Sequence, residues 1–485
     1  MAPPLPEQPL SPLDGRYRAA VQGLGDHLSE AGLNRARVHV EVEWLIYLTD
    51  CALFGSTPLD PAQIAALRAL VTDFGQAEID ELAALEATTR HDVKAIEYLV
   101  RKKLGDLGLG AIAELTHFAC TSEDINNLSY ALTVRAAVEE VWVPKFRAVV
   151  DGIRALAIEH ADVVMLAHTH GQPATPTTLG KEFAVFVGRL ERLSSQIKAS
   201  DYLGKFSGAT GTFSAHVAAD ASQDWPAISR EFVTGLGLDW NPLTTQIEPH
   251  DWQAELYQRI AHVNRVLHNL ATDVWTYISM GYLTQIPQVG ATGSSTMPHK
   301  INPIRFENAE ANLELSSALL DSLAQTLVTS RLQRDLTDST TQRNIGVAIG
   351  HSLVALDNLE RGLREFTVDR ERLAADLDSN WEVLGEAIQT VIRAEITAGR
   401  SSIADPYALL KELTRGRRIG KAELVEFVEA LDIGDDAKAR LVALTPADYA
   451  GLAAQLVTLL PDRYRLSARG LDRRGQGALP GSLRR

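Results

Sequence analysis

Three observations predict an all-α protein. Ala and Leu are abundant while aromatic residues are only 6% of the chain, and small or straight side chains lose little rotamer freedom in a helix. Apolar residues recur at intervals of three and four through the middle of the sequence. Polar clusters with helix-start chemistry stand just ahead of several of those stripes. At 485 residues the chain exceeds one small core and suits several domains. The expected division is an N-terminal helical domain over 1–111, a central helical bundle over 112–365 and a C-terminal helical domain over 366–465.

The elements follow in order. Residues 1–12, MAPPLPEQPLSP, are Pro-rich and expected to be weakly ordered. Thr88-Thr89-Arg90-His91-Asp92-Val93-Lys94 is a polar turn. Its His91 and Asp92 are adjacent and so do not face each other on a helix, whereas His91 and Lys94 share a face. Thr121-Ser122-Glu123-Asp124-Ile125-Asn126-Asn127 reads as a helix start, with Thr121 and Glu123 as capping residues. Thr169-His170-Gly171-Gln172-Pro173-Ala174-Thr175-Pro176 reads as an irregular turn followed by Thr175 as cap and Pro176 in the first helical turn. The stripe Leu179, Phe183, Phe186, Leu190, Leu193 follows. A second stripe runs Leu256, Ile260, Val263, Leu267, Leu270, Val274. A third runs Phe306, Ala309, Leu313, Leu320, Leu323, Leu327. Stripes of this length belong to long helices packed side by side in a bundle, and their breadth points to self-association.

Between the second and third stripes stands Gly293-Ser294-Ser295-Thr296-Met297-Pro298-His299-Lys300-Ile301-Asn302-Pro303. Asn302 as cap and Pro303 as first residue start a helix over 303–328. Its free N–H groups and dipole point back at the loop, and Lys300 adds positive charge, so the place suits a carboxylate. Arg331, Arg334 and Arg343, with Ser339 and Thr340, form a basic run suited to phosphate. Because Asp335 and Asp338 are interleaved, its default is a solvated, salt-bridged face. From about Leu466 an Arg- and Gly-rich tail has no apolar period and is expected to be disordered.

Composition excludes several classes. A net charge of −15 argues against a general nucleic-acid binder. No apolar run approaches the roughly 18 residues of a membrane span, and the N-terminus lacks the regions of a signal peptide. Cys51 and Cys120 are the only cysteines, too few for a disulfide framework, so a reducing cytoplasm fits. His168 and His170 form an HxH pair, but no further ligands at zinc spacing accompany them. No phosphate-binding or dinucleotide-binding glycine motif appears, and no metal or organic cofactor is signalled. His, Ser, Lys, Asn and Arg at helix N-termini point to proton transfer on a polyanionic small molecule.

The 293–303 loop resembles the signature loop of the fumarase/aspartase superfamily. SPLDGRY at 11–17, TTRHDVKAIEY at 88–98, HFACTSEDINNLS at 117–129, THGQPATPTTLGKE at 169–182, NPLTTQIEPHD at 241–251 and SRLQRDLTDST at 330–340 resemble one branch, the bacterial-type adenylosuccinate lyases. The resemblance runs from about residue 11 to 460. It implies an all-helical homotetramer whose sites combine loops from three subunits, no cofactor, and a purine nucleotide substrate. It also implies elimination of fumarate from adenylosuccinate and from the succinyl-carboxamide ribotide of purine synthesis. By this resemblance Ser294 is the base on a mobile loop, with Ser295 as its rival, and His170 is the acid. Lys300, Asn302, Thr121, Ser122 and Gln246 would hold the carboxylates and reacting centre. Arg16, Tyr17, Arg90, His91, Asp92, Arg334, Ser339 and Arg343 would hold the nucleotide, with Asn308 and Thr340 completing the set. Arg90 stands where some members carry Asn, and His168 where some carry Arg. Argininosuccinate lyase, 3-carboxymuconate cycloisomerase and a non-catalytic helical scaffold remain as alternatives.

Overall fold

The computed structural model describes residues 9–287, 297, 300–414 and 419–460. The striped segments form long helices. Leu179–Lys198, Asp251–Ser279 and Ile304–Leu327 carry the three stripes, and every stripe residue named above is buried. With Val143–Glu159 and Ile345–Gly362 they close a ring of five packed helices. The 29-residue member is roughly 43 Å long.

Polar side chains brace the ring inside. Trp142 Nε1 donates to Ser352 Oγ at 2.9 Å, which donates to Asn264 Oδ1 at 2.8 Å. Asn264 Nδ2 donates to Ser316 Oγ at 3.0 Å, and Ser316 Oγ to the Ala348 carbonyl at 2.7 Å. Each of these groups is paired, so their burial carries little penalty and fixes the helices against sliding. Ser122–Ala136 and Val143–Glu159 run on through a π turn at Ala137–Trp142. Pro144 explains the turn: it lacks an N–H and its ring crowds the carbonyl four residues back.

Two smaller apolar clusters flank the ring. One is built from Val38, Leu45, Leu67, Leu82, Ile96 and Leu104, and the other from Trp381, Ile388, Ile392, Leu424, Val428 and Leu441. Three two-stranded sheets are the only β-structure among the described residues.

Helix boundaries correct the sequence reading in three places. Thr175 and Pro176 do not open a helix. They lie in the strand Gln172–Thr178, antiparallel to Val164–Thr169, and the helix begins at Leu179 with Thr178 as its cap, accepting from the Lys181 N–H at 3.2 Å. A local cap signal is thus overridden by hairpin pairing. At the second place, the helix after the signature loop begins at Ile304, with Pro303 rather than Asn302 in the cap position. The third concerns the acid that answers Thr121, which is Asp124 rather than Glu123: Asp124 Oδ2 accepts the Thr121 N–H at 2.8 Å.

Candidate active site

The helix Ser122–Ala136 places its first turn at the centre of a buried polar network. Asp124, fully buried, accepts from the N–H groups of Thr121, Ser207 and Gly208 and pairs with the buried Lys205 at 2.8 Å. Asn127 completes the clamp, its side chain bonding both the N–H and the carbonyl of Lys205. These contacts fix Thr121 and Ser122, both half-buried, at a helix N-terminus, where free N–H groups attract an anion.

Glu123 points the other way. Its Oε1 lies 3.0 Å from Arg334 Nη2 and accepts from Asn126 Nδ2 at 2.9 Å. Burial pushes its carboxyl above the usual range, against the pull of Arg334. Arg334 Nη1 donates to Gln246 Oε1 at 3.3 Å, and Asp338 Oδ1 stands 3.9 Å from Nη2. From Asn126 the network continues to Arg37 at 2.9 Å, from Arg37 to Asp92 at 2.8 Å, and from Asp92 to Arg343 at 3.4 Å. Burial would raise the Asp92 carboxyl, but Arg37, the Val93 N–H and Arg343 outweigh it and hold it low. Arg343 also pairs with Glu30.

The structure therefore brings Thr121, Ser122, Gln246, Arg334, Asp92 and Arg343 into one connected region. Ser339 joins it, its N–H donating to Asp338 Oδ1 at 2.6 Å, and Thr340 follows in the short helix Thr337–Gln342. The expectation of a solvated face holds for Arg331, which pairs with Asp335 at the surface. It fails for Arg334, which the buried Glu123 carboxylate draws inward. His91 caps its helix: Nδ1 accepts the Lys94 N–H at 3.3 Å. Arg90, exposed, ends the preceding helix in a left-handed conformation at φ 52°.

Other expected residues lie elsewhere. Asn308 donates to the Tyr17 hydroxyl at 3.0 Å, near the start of the Ile304–Leu327 helix, with Arg16 exposed beside Tyr17. Lys300 and Asn302 precede that helix. Arg334 lies beyond its other end, and the 24-residue helix between spans roughly 36 Å. His170 is at a third place. Thr169 pairs with Gln172, leaving His170 and Gly171 as a two-residue hairpin loop with φ 53° and 72°. Two positive φ values fit a type I′ turn, and the imidazole is held out at an exposed tip. Ser294, Ser295 and His299 lie outside the described residues. Among the described residues no group of three or more His, Cys, Asp or Glu is arranged to hold a metal ion. No described helix is long and apolar enough to cross a membrane.

Sequence reasoning missed Arg37 and Lys205 and passed over Asp124, which was legible as a helix-start acid. Arg37 and Lys205 are isolated charges whose burial and partners come from elements distant in sequence.

A family model described as Lyase matches residues 15–314, and one described as Adenylosuccinate lyase C-terminal matches residues 330–450. The chain belongs to the adenylosuccinate lyase family. The adenylosuccinate lyase of Escherichia coli (strain K12) is 48% identical over 450 residues, 92% of this chain and 97% of that relative. That of Vibrio cholerae is 46% identical over 454 residues, 93% and 98% of the two. A crystal structure of 3-carboxy-cis,cis-muconate lactonizing enzyme from Pseudomonas putida matches with a TM-score of 0.70 at 20% identity, covering 95% of this chain and 99% of that one. A fumarate lyase from Mesorhizobium sp. BNC1 also matches at 0.70 and 18% identity, covering 90% and 97%. These two share the fold. The adenylosuccinate lyases match along the sequence of both the bundle and the C-terminal region.

Proposed function

We propose that this chain eliminates fumarate from adenylosuccinate, giving AMP, and from the succinyl-carboxamide ribotide SAICAR, giving AICAR. The observation that carries this reading is the 48% identity to an adenylosuccinate lyase across 92% of the chain. Ser294 takes a proton from the succinyl carbon next to the one bonded to nitrogen. The electron pair is held as an aci-carboxylate and then expels the nitrogen as the C–N bond breaks. His170 protonates that nitrogen. Thr121, Ser122, Gln246, Lys300 and Asn302 hold the carboxylates, where fixed donors and a helix terminus stabilise the developing charge. Arg334, Arg343 and Ser339 take the phosphate.

The working form is a homotetramer in the cytoplasm, with each site shared between subunits. Two features support this. His170, Tyr17–Asn308 and the Arg334 network occupy separate places on one chain, so one copy alone does not assemble them. Leu243, Leu332 and Leu336, on the two segments that meet at Arg334, stand 87%, 88% and 68% exposed, apolar surface that a neighbouring subunit would cover.

The test is direct. Purified protein with chelator is given adenylosuccinate, and AMP and fumarate are followed. Equal release, lost in both Ser294→Ala and His170→Ala, supports the reading; a folded protein that releases neither refutes it. Sedimentation should give four times 52.9 kDa. Mixing the two inactive variants under subunit exchange should restore part of the activity, and no recovery would count against shared sites.

A further inference from the structure

We propose that His250 is a positioning residue that holds Asp338 away from Arg334, keeping the guanidinium open for the anionic part of the substrate. This rests on the reading of Arg334 as a substrate-binding group. Three observations carry it.

The first is backbone strain. His250 precedes the Asp251–Ser279 helix with φ 65°, while only 1% exposed. The left-handed region is unfavourable for a residue with a Cβ, and such strain concentrates at functional positions. Glu248 Oε2, itself buried, holds the His250 N–H at 2.8 Å and keeps the residue there.

The second is a group of buried polar atoms without hydrogen bonds among the described residues. They are His250 Nδ1 and Nε2, Asp338 Oδ2 and Arg334 Nε. His250 Nε2 stands 3.5 Å from Asp338 Oδ2, and Asp338 Oδ1 stands 3.9 Å from Arg334 Nη2. Buried polar groups are nearly always paired, so unpaired atoms on three neighbouring residues need a reason. A histidine serving only as core packing would account for its own ring, but not for the other two.

The third is the way the two segments are stitched. Thr245 Oγ1 donates to the Gln333 carbonyl at 2.9 Å, Gln246 accepts from Arg334, and His250 faces Asp338. The strained residue is thus the last contact of the clamp that sets both Gln246 and Arg334.

The mechanism is electrostatic. Arg334 already meets Glu123 at 3.0 Å. If Asp338 also closed on it, two carboxylates would compete with the substrate anion. The imidazole gives Oδ2 another neighbour, while the Ser339 N–H holds Oδ1. Removing the ring frees Asp338 to swing onto the guanidinium.

The experiment uses His250→Asn, because Asn tolerates the left-handed backbone. Fumarate release and calorimetric AMP binding are measured on the tetramer. The expected result is a KM and an AMP Kd raised about tenfold, kcat within about threefold, and an unchanged thermal midpoint. In an Asp338→Asn background, His250→Asn should have no further effect on either constant. Unchanged KM and AMP affinity in His250→Asn, or equal losses in both backgrounds, overturn the proposal. If His250→Asn unfolds, His250→Gly, which also accepts the positive φ, answers the same question. A wild type that releases no fumarate overturns the lyase reading instead, and AMP affinity, which needs no turnover, still decides the role of His250.

Discussion

Lys205→Met tests whether the Asp124 clamp holds the first turn of the site helix. Both partners are fully buried and 2.8 Å apart. At an effective dielectric of about 20 their attraction is about 6 kcal/mol. Desolvation of two charges offsets most of that, so the intact pair contributes little net stability. Removing one partner is different, because it strands the other charge. The usual cost is about 3–5 kcal/mol. Here the N–H groups of Thr121, Ser207 and Gly208 still face the Asp124 carboxylate, which places the expectation near 3 kcal/mol. For a chain of 485 residues, the unfolding entropy is about 1 kcal/mol per degree, so the thermal midpoint should fall by about 3 °C. Urea unfolding at fixed protein concentration reads the same change without mixing in subunit association. Asp124→Asn in the Lys205→Met background should recover part of the loss, because no stranded charge remains. A Lys205→Met protein within about 1 kcal/mol of wild type, or a double variant weaker than the single, would refute the reasoning.

Other outcomes follow from equally local features. Gly180→Ala should destabilise the protein by about 2 kcal/mol or more, because a Cβ there meets the Ala157 carbonyl and comes within 2.6 Å of Ala161 Cα; a neutral result by urea unfolding would show that the start of this helix can shift. His117 bonds Glu41 at 2.6 Å. Burial lowers its pKa, but the Glu41 hydrogen bond and charge outweigh that and leave it raised. A raised folded pKa stabilises below the unfolded value and loses that contribution as pH rises through the folded one. The stability advantage of wild type over Glu41→Gln should therefore shrink from pH 6 towards alkaline pH, and an advantage that grows would contradict the pairing. Arg334→Gln should raise KM for adenylosuccinate about tenfold or more while strengthening no other step; an unchanged KM in steady-state kinetics would remove Arg334 from the substrate set.

The long helices and their buried faces were readable in the sequence because a 3.6-residue period is a local property. All the residues of the stripes at 179–193, 256–274 and 306–327 are buried. The starts were less legible. Thr175-Pro176 carries sound cap chemistry, yet it lies in a strand, because pairing with Val164–Thr169 satisfies its backbone instead. Asp124 was misjudged by one residue against Glu123, since a capping box and an ion pair to a distant Arg look alike in sequence.

The sequence by itself determined the helical class, the family and the residue types of the chemistry, because periodicity and motif spacing survive without coordinates. Tertiary structure alone decided which charges are buried and with whom they pair. Arg334 meets Glu123, Lys205 meets Asp124, and His250 faces Asp338 only because packed helices bring together positions 81–211 residues apart. Electrostatic energy depends on that separation in space and on the exclusion of water, and neither is a property of position along the chain.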